Sequence, residues 1–318
     1  MIKYVIKRIL TMIPLFIAIT FAVYFLANMA PGTIVDSIVA GQQDITQEDI
    51  DRLYEEYHLN DPVVFRYVRW LGDLLHGDMG RSYRSNESVA SMIGQRIGPT
   101  LLLTGTALLI AIIIGIPLGV LSAIKPKGFW DNVASVLTFL GSSFPAFFIA
   151  LLGVYFFSVK LKILPSTGMY YSGQPHTVIA LIQHLIMPAV AISFGIVGRF
   201  IKQTRGSMLE VLNEEYIKTA RSKGIKEIRV IIKHALRNAM IPIVTAIGLT
   251  APFLIGGAVV IEQIFGWPGL GTLMNVSIIA RDYPAVMGGA VVICAVVLVC
   301  NLIVDLIYAV LDPRISYK

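Results

Sequence analysis

The sequence predicts an all-α polytopic membrane protein with six transmembrane helices and a small extracytoplasmic element between helices 1 and 2. Three observations carry that prediction. The 318 residues are 56% hydrophobic and only 14% charged, against about 25% charged in soluble domains, so too few polar groups exist to cover a soluble surface. Six apolar runs approach or exceed the roughly 20 residues needed to cross a bilayer. The few charges are sorted by sign along the chain. This composition excludes a soluble enzyme, a disordered chain and a fibrous one.

The runs fall at residues 9–30, 101–124, 133–159, 185–200, 239–264 and 285–311. The first follows Lys3, Lys7 and Arg8 and ends in an Ala27-x-x-Ala30 stretch, which raises the question of a signal peptide. Its apolar length exceeds the usual h-region of about 7–15 residues, and Pro31 would follow the cleavage point, so it reads as an uncleaved helix. Pro117, Pro145, Pro188, Pro242 and Pro252 lie within the others, as neighbouring helices and waters permit. The fourth run is the weakest. Cys294 and Cys300 share the sixth run, six apart, and read as free apolar thiols rather than as a disulfide or metal site.

Six spans place both termini on one side. Of the 26 Lys and Arg, seventeen lie on the side of the termini: Lys3, Lys7 and Arg8, then Lys125 and Lys127, ten in the loop 199–238, and Arg314 and Lys318. The short outer segments hold only Lys160, Lys162 and Arg281. The positive-inside rule therefore puts both ends in the cytoplasm. The long outer segment after the first run carries six basic and eleven acidic residues. Within it Thr46 reads as an N-cap with Glu48 and Asp49 in the first turn, followed by Ile50, Leu53, Tyr54 and Tyr57 on one face. The expected organisation is residues 1–30 as N-terminus and first helix, 31–95 as the outer segment, 96–312 as the transmembrane domain and 313–318 as a cytoplasmic tail.

The basic loop 199–238 is the most informative segment. Met208, Leu212, Tyr216 and Ala220 form one helical stripe, and Gly224 breaks the pattern as a left-handed C′ glycine does. A second helix follows, with Ile228, Ile231, Ile232 and Ala235 on one face and Lys226, Arg229, Lys233 and Arg237 on the other. Such a hairpin suits a solvated loop that fixes topology or touches anionic lipid, or a docking knob for a partner protein. A helix-turn-helix DNA reader has a similar form, but tethering at both ends between two spans excludes nucleic acid as the partner.

The segment Tyr216-Ile-Lys-Thr-Ala-Arg-Ser-Lys-Gly224, preceded by Glu215 and followed by Lys233-His-Ala-Leu-Arg-Asn-Ala-Met-Ile-Pro242, closely resembles the EAA loop of ABC importer permeases, in the version found in peptide importers. Further segments resemble the same family: Ala30-Pro31-Gly32, Leu59-Asn60-Asp61-Pro62, Gly77-Asp-Met-Gly-Arg-Ser82, Phe265-Gly-Trp-Pro-Gly-Leu-Gly271, Arg281-Asp-Tyr-Pro284 and Asp312-Pro313-Arg314. The resemblance is to the first permease subunit of dipeptide and oligopeptide importers. Lys218, Leu236 and Arg237 depart from the sugar-importer pattern, and the proline arrives later, at Pro242.

That resemblance implies a type I ABC importer permease fold and a non-catalytic subunit. It implies a second homologous permease, two ATPase subunits, an extracytoplasmic substrate-binding protein, a peptide substrate and surrounding membrane lipid as partners. ATP and Mg²⁺ are then bound by the partner ATPases, and this chain carries no GxxxxGK[ST] phosphate loop. It further implies that Glu215, Tyr216, Thr219, Ala220, Arg221, Lys223, Gly224 and Lys226 form the coupling helix and its turn, with small Thr219 and Ala220 allowing close approach to the ATPase. The family's setting is the bacterial or archaeal cytoplasmic membrane. Relatives for nickel, glutathione and oligosaccharides keep those substrates open, and an ion-coupled secondary transporter would need intramembrane acid pairs and internal repeats that are not evident.

Two outer features remain. Gly266, Trp267, Pro268, Gly269 and Gly271 read either as a tight turn between the fifth and sixth spans or as an extracytoplasmic contact. Glu262 and Asp305 lie at membrane depth and read either as polar contacts along a translocation path or as interhelical hydrogen-bonding groups. The five histidines are scattered with no metal-ligand spacing.

Overall fold

The computed structural model describes residues 2–29, 33, 35, 36, 39 and 45–311. The signatures at 30–32 and 312–314, and the tail 313–318, lie outside the described residues. Helix α1 (Ile2–Met29) begins seven residues before the apolar run, so the basic N-terminal residues ride on its first turns. Arg8 pairs with Asp305 of the last helix, which gives Asp305 an interhelical role.

In the outer segment, α2 (Gln47–Glu56) starts where the sequence predicts. The Thr46 side chain accepts from the Asp49 amide and Asp49 reaches back to the Thr46 amide, a complete capping box. Helix α3 (Val63–Leu75) packs on α1 through Tyr67, whose hydroxyl lies 2.9 Å from Thr20 Oγ1 and donates to Ile17 O at 3.1 Å. Phe21, Tyr24 and Trp70 surround that ring. Tyr and Trp suit this depth because one end of each ring wants an apolar neighbour and the other a polar one.

The transmembrane domain centres on two long parallel helices, α4 (Val89–Ile124) and α7 (Val178–Leu212), with Gly115 against Phe200 and Gly119 against Thr204. The fourth run, weakest by sequence, proves to be α7, and 56% of its apolar stretch is buried, against 33% for α4 and 17% for the last helix. Burial explains the weak signal. A helix enclosed by protein can carry Ala189, Ala191, Ser193 and His184, all buried, because small and polar side chains let neighbouring backbones approach. Leu103, Ala107 and Ala111 of α4 meet Ile196, Phe200 and Ile201 of α7 in the main core.

The third run is not one helix. Helix α5 (Phe129–Ser143) and the pair formed by α6 (Ala146–Gly153) and the π-helical turn π1 (Val154–Lys160) bend by 102° at Pro145. Proline disfavours helical backbone in the residue before it, and Phe144 is extended at φ −103°, ψ 129°.

The expected loop from residue 199 is helical as far as Leu212, which moves Arg199, Lys202 and Arg205 onto α7. The chain then forms α8 (Glu215–Ser222), α9 (Glu227–Arg229), a π-helical stretch π2 (Val230–Leu236) and α10 (Arg237–Gly257). Helices α11 (Val259–Ile264) and α12 (Leu270–Ile279) flank the glycine-rich segment, and α13 (Tyr283–Leu311) closes the domain against α1 and α10. Among the described residues five helices are long and apolar enough to cross a membrane, and six spans result if the bent pair counts as one. Among the described residues the sole strand-like pairing is one bridge between Arg81 and Ser88.

Candidate functional site

Two constructions stand out, one at each end of the bundle. At the basic end, Asn213 ends α7 and α8 starts anew at Glu215. The stripe expected through Met208, Leu212, Tyr216 and Ala220 is therefore broken. Met208 and Ala220 are buried, but Tyr216 is exposed and Ile217 takes the inward position. Ile217 and Ala220 seat α8 on a compact cluster with Met208, Val230, Ile231, Ala235, Ala239 and Ile243.

The turn after α8 has a Schellman geometry. Ile225 N–H donates to Ala220 O at 3.4 Å, and Gly224 N–H donates to Arg221 O at 2.9 Å. Ile225 packs against the same cluster as Ala220, the contact that usually accompanies this cap. Gly224 takes φ +72°, in the left-handed region that costs other residues about 1–2 kcal/mol.

The outward face of α8 holds Glu215, Tyr216, Lys218, Thr219, Arg221 and Lys223. Glu215 pairs with Lys218 at 2.7 Å, and Thr219 Oγ1 donates to Glu215 O at 3.0 Å. Arg221 reaches across the turn to Glu227 with two hydrogen bonds, at 2.7 and 3.2 Å. That carboxylate holds the Arg221 guanidinium above its ordinary pKa. Tyr216 OH accepts from Asn238 Nδ2 at 3.0 Å, and Lys226 caps α9 at its start. Seven of the eight expected coupling residues are thus presented outward together. Ala220 is the exception: it is packed into its own chain, so its small size serves the seat and not a partner.

The second expected helix also differs. Ile228 and Ile232 are exposed, whereas Val230, Ile231 and Ala235 are buried. Residues five apart align across a π-helical stretch, and Val230 and Ala235 are five apart. A stripe counted at 3.6 residues per turn misses that shift.

At the opposite end, residues 265–271 fold inward as a turn. Trp267 is fully buried, with its indole N–H donating to Pro99 O at 2.9 Å and its amide to Glu262 O at 2.7 Å. Gly269 and Gly271 are buried, Pro268 is half-buried and Gly266 is exposed at φ +53°. Glu262 organises the turn. Its carboxylate accepts from Thr100 Oγ1 at 2.6 Å and from Thr272 N–H at 3.0 Å, while Thr100 accepts from Leu270 N–H at 2.8 Å. A Cβ on Gly269 would collide with that carboxylate, and one on Gly271 would lie 2.7 Å from Val259 Cα. These glycines are therefore required by close approach. Glu262 thus makes the interhelical hydrogen bonds that were one of its two expected roles.

Sequence reasoning singled out Gly77–Ser82 and Arg281–Pro284 without pairing them. Ser82 Oγ donates to Asp282, and Tyr83 N–H donates to the same carboxylate at 3.0 Å. Asp131 at the start of α5 takes Arg205 of α7 in two hydrogen bonds, at 2.7 and 3.1 Å. No local pattern betrays either partner, because the pairs are 200 and 74 residues apart.

The described residues thus form a bundle of spans wrapped on two central helices, with a helical knob at one end. Comparison with known proteins gives the family. Residues 115–317 match the family described as binding-protein-dependent transport system inner membrane component, and residues 1–104 match its N-terminal counterpart. The chain belongs to this family of transport-system inner-membrane subunits. It is 40% identical over 318 residues to the oligopeptide transport system permease protein AppB of Bacillus subtilis, covering 100% of both chains. It is 36% identical over 339 residues to the dipeptide transport system permease protein DppB of Escherichia coli K12, again covering 100% of each. The glutathione transport system permease protein GsiC of Escherichia coli O6:H1 is 35% identical over the same full extent. Among solved structures, a chain of the MetNI methionine ABC transporter in an inward-facing conformation shares the fold. Its TM-score is 0.56 at 18% identity, over 70% of this chain and 96% of that one.

Proposed function

We propose that this chain is the permease subunit of an ABC importer that carries di- or oligopeptides across the cytoplasmic membrane, driven by ATP hydrolysis in separate ATPase subunits. Full-length similarity to oligopeptide and dipeptide permease proteins supports the substrate class. The observation that carries the mechanism is the knob of Glu215–Lys226. It is seated on a buried cluster by Ile217 and Ala220 and turned by Gly224 at φ +72°.

Closure of an ATPase pair does useful work only if a stiff element transmits it to the spans. Ile217 and Ala220 fix α8 to the inner ends of α7 and α10, so a push on the exposed face moves both helices together. Glu215, Tyr216, Thr219, Arg221, Lys223 and Lys226 supply the contact surface, and the excess of Lys and Arg on this side supports a cytoplasmic position for it and for both termini. A second homologous permease encloses the pathway, and a substrate-binding protein delivers peptide from outside. The cycle shifts the population between inward-facing and outward-facing states by differential ATPase contacts. The turn at residues 265–271 shapes the outer end of the bundle.

The similarity to a glutathione permease protein favours a second reading, since glutathione is itself a peptide derivative. Uptake into proteoliposomes holding the assembled importer separates the two. Uptake of a radiolabelled tripeptide that depends on ATP and the binding protein, and that excess glutathione leaves unaffected, is the expected outcome. Uptake of glutathione alone would replace the first reading with the second, and uptake without ATP would overturn both.

A further inference from the structure

A cavity of about 540 Å³ lies among α5, the Pro145 bend, α7, α10 and α11. Its wall mixes small residues such as Gly141 and Gly195 with larger apolar ones such as Phe144 and Leu254, and Thr138, Ser142 and Thr250 add hydroxyls. Two cations, Arg199 and Lys202, line it, and among the described residues no Asp or Glu does. Both are exposed, and neither has an ion-pair partner among the described residues. The neighbouring Arg205 differs, because Asp131 neutralises it.

The position of these cations matters. Arg199 precedes Arg205 by six residues on one helix, which places it about 9 Å deeper into the bundle at 1.5 Å per residue. Cations without a counter-charge in a recess between spans face the bundle interior and point to a pathway or ligand. Two adjacent cations in a recess with low-dielectric walls raise the local concentration of anions. The hydroxyls do not compete for the charge, since Ser142 donates to Phe139 O and Thr250 to Ala246 O within their own helices.

We propose that Arg199 and Lys202 form an anion-receiving station on the translocation path that takes the C-terminal carboxylate of the transported peptide. The inference rests on the peptide-import reading above. It adds a chemical preference that the permease itself imposes: faster passage for a peptide with a free carboxylate. The largely apolar wall makes few polar demands on side chains, while the two cations hold the anionic terminus that every unmodified peptide carries.

The test uses the assembled importer in proteoliposomes, with its binding protein saturated by Ala-Ala-Ala or by Ala-Ala-Ala amide. Arg199→Gln with Lys202→Gln is expected to lower turnover of the free acid about tenfold at saturation, with the half-saturating concentration of loaded binding protein unchanged, and to leave the amide's turnover near that of the unsubstituted importer. Equal loss for both peptides overturns the station, because the cations would then serve the fold, a lipid phosphate or an acid of the second permease. Loss for neither overturns it as well. If the unsubstituted importer carries neither peptide, the peptide reading itself fails, which is a distinguishable result.

A second readout is independent of what the binding protein accepts. With Cys294 and Cys300 replaced by alanine, Ser142→Cys on the facing wall is expected to react faster with an anionic methanethiosulfonate than with a cationic one. That preference is expected to fall about tenfold on Arg199→Gln with Lys202→Gln. An unchanged preference overturns the proposal.

Discussion

Thr100 Oγ1 donates to Glu262 Oε1 at 2.6 Å inside the bundle, joining α4 to α11 across 162 residues of sequence. Each partner also holds a backbone amide of the turn, Leu270 by Thr100 and Thr272 by Glu262. Glu262→Ala removes both acceptors of the carboxylate and strands Thr100 and the Thr272 amide. Each orphaned buried polar group costs about 1–3 kcal/mol, so the purified chain is expected to unfold at a lower temperature. Thr100→Val, which also leaves a buried amide unpaired, should show a smaller loss in the same measurement. A melting temperature unaffected by Glu262→Ala would remove the carboxylate from its organising place.

Asp282 ties the segment before α4 to the segment before α13 through Ser82 and the Tyr83 amide. Asp282→Leu is expected to open the 82–88 turn locally while the spans stay packed. Hydrogen exchange at Tyr83 should rise by about one to two orders of magnitude, as loss of roughly 1–3 kcal/mol of local protection implies. Uniform acceleration across α4 and α13 would instead mean that the whole domain loosens.

Arg221 and Glu227 close the knob's turn from outside, yet their side chains are 44% and 53% exposed. An exposed pair of this kind is worth about 0.2–1 kcal/mol. A double-mutant cycle with Arg221→Ala and Glu227→Ala is therefore expected to give a coupling energy in that range, falling at high salt. The Schellman turn and its buried seat should keep the knob folded without the pair. A coupling energy above about 2 kcal/mol would show that the ion pair, and not the buried seat, holds the knob.

The half-buried pair of Asp131 and Arg205 should behave differently. Asp131 is 5% exposed and also accepts from the Lys127 amide at 2.7 Å. Arg205→Met leaves that carboxylate without its cation. Stability should fall by about 1–3 kcal/mol, less than for a fully buried pair because the Arg205 side chain is 36% exposed and solvent screens it. Restoration by a compensating Asp131→Asn in the same chain would verify the cause.

Much of this architecture could be read from residue order. Thr46 with Asp49 announced α2, because a capping box is local and needs no tertiary partner. Gly224 announced the turn for the same reason, since only backbone conformation is at stake. The misreadings have equally specific causes. Helix α7 looked weak because its neighbours are protein, so it is poorer in large apolar side chains than its lipid-facing counterparts. The bend at Pro145 was hidden inside a continuous apolar run, as hydropathy reports solvent and not direction. Ile228 and Ile232 share a face with Ile231 and Ala235 only on a count of 3.6 residues per turn, and the π-helical stretch Val230–Leu236 breaks that register. The partners of Glu262, Asp282 and Asp131 were invisible, since pairs so distant in sequence are made only by the fold.

The central claim is that the knob couples ATP hydrolysis to transport, and Gly224→Val addresses it most directly. A Cβ at Gly224 would meet nothing within 4 Å, so the substitution acts through the φ of +72°, which a β-branched residue strongly disfavours. The measurement is peptide uptake per ATP hydrolysed by the assembled importer in proteoliposomes. The account predicts a normally inserted subunit whose uptake per ATP falls at least about tenfold, as a displaced contact surface would require. Uptake per ATP equal to that of the unsubstituted importer would contradict it.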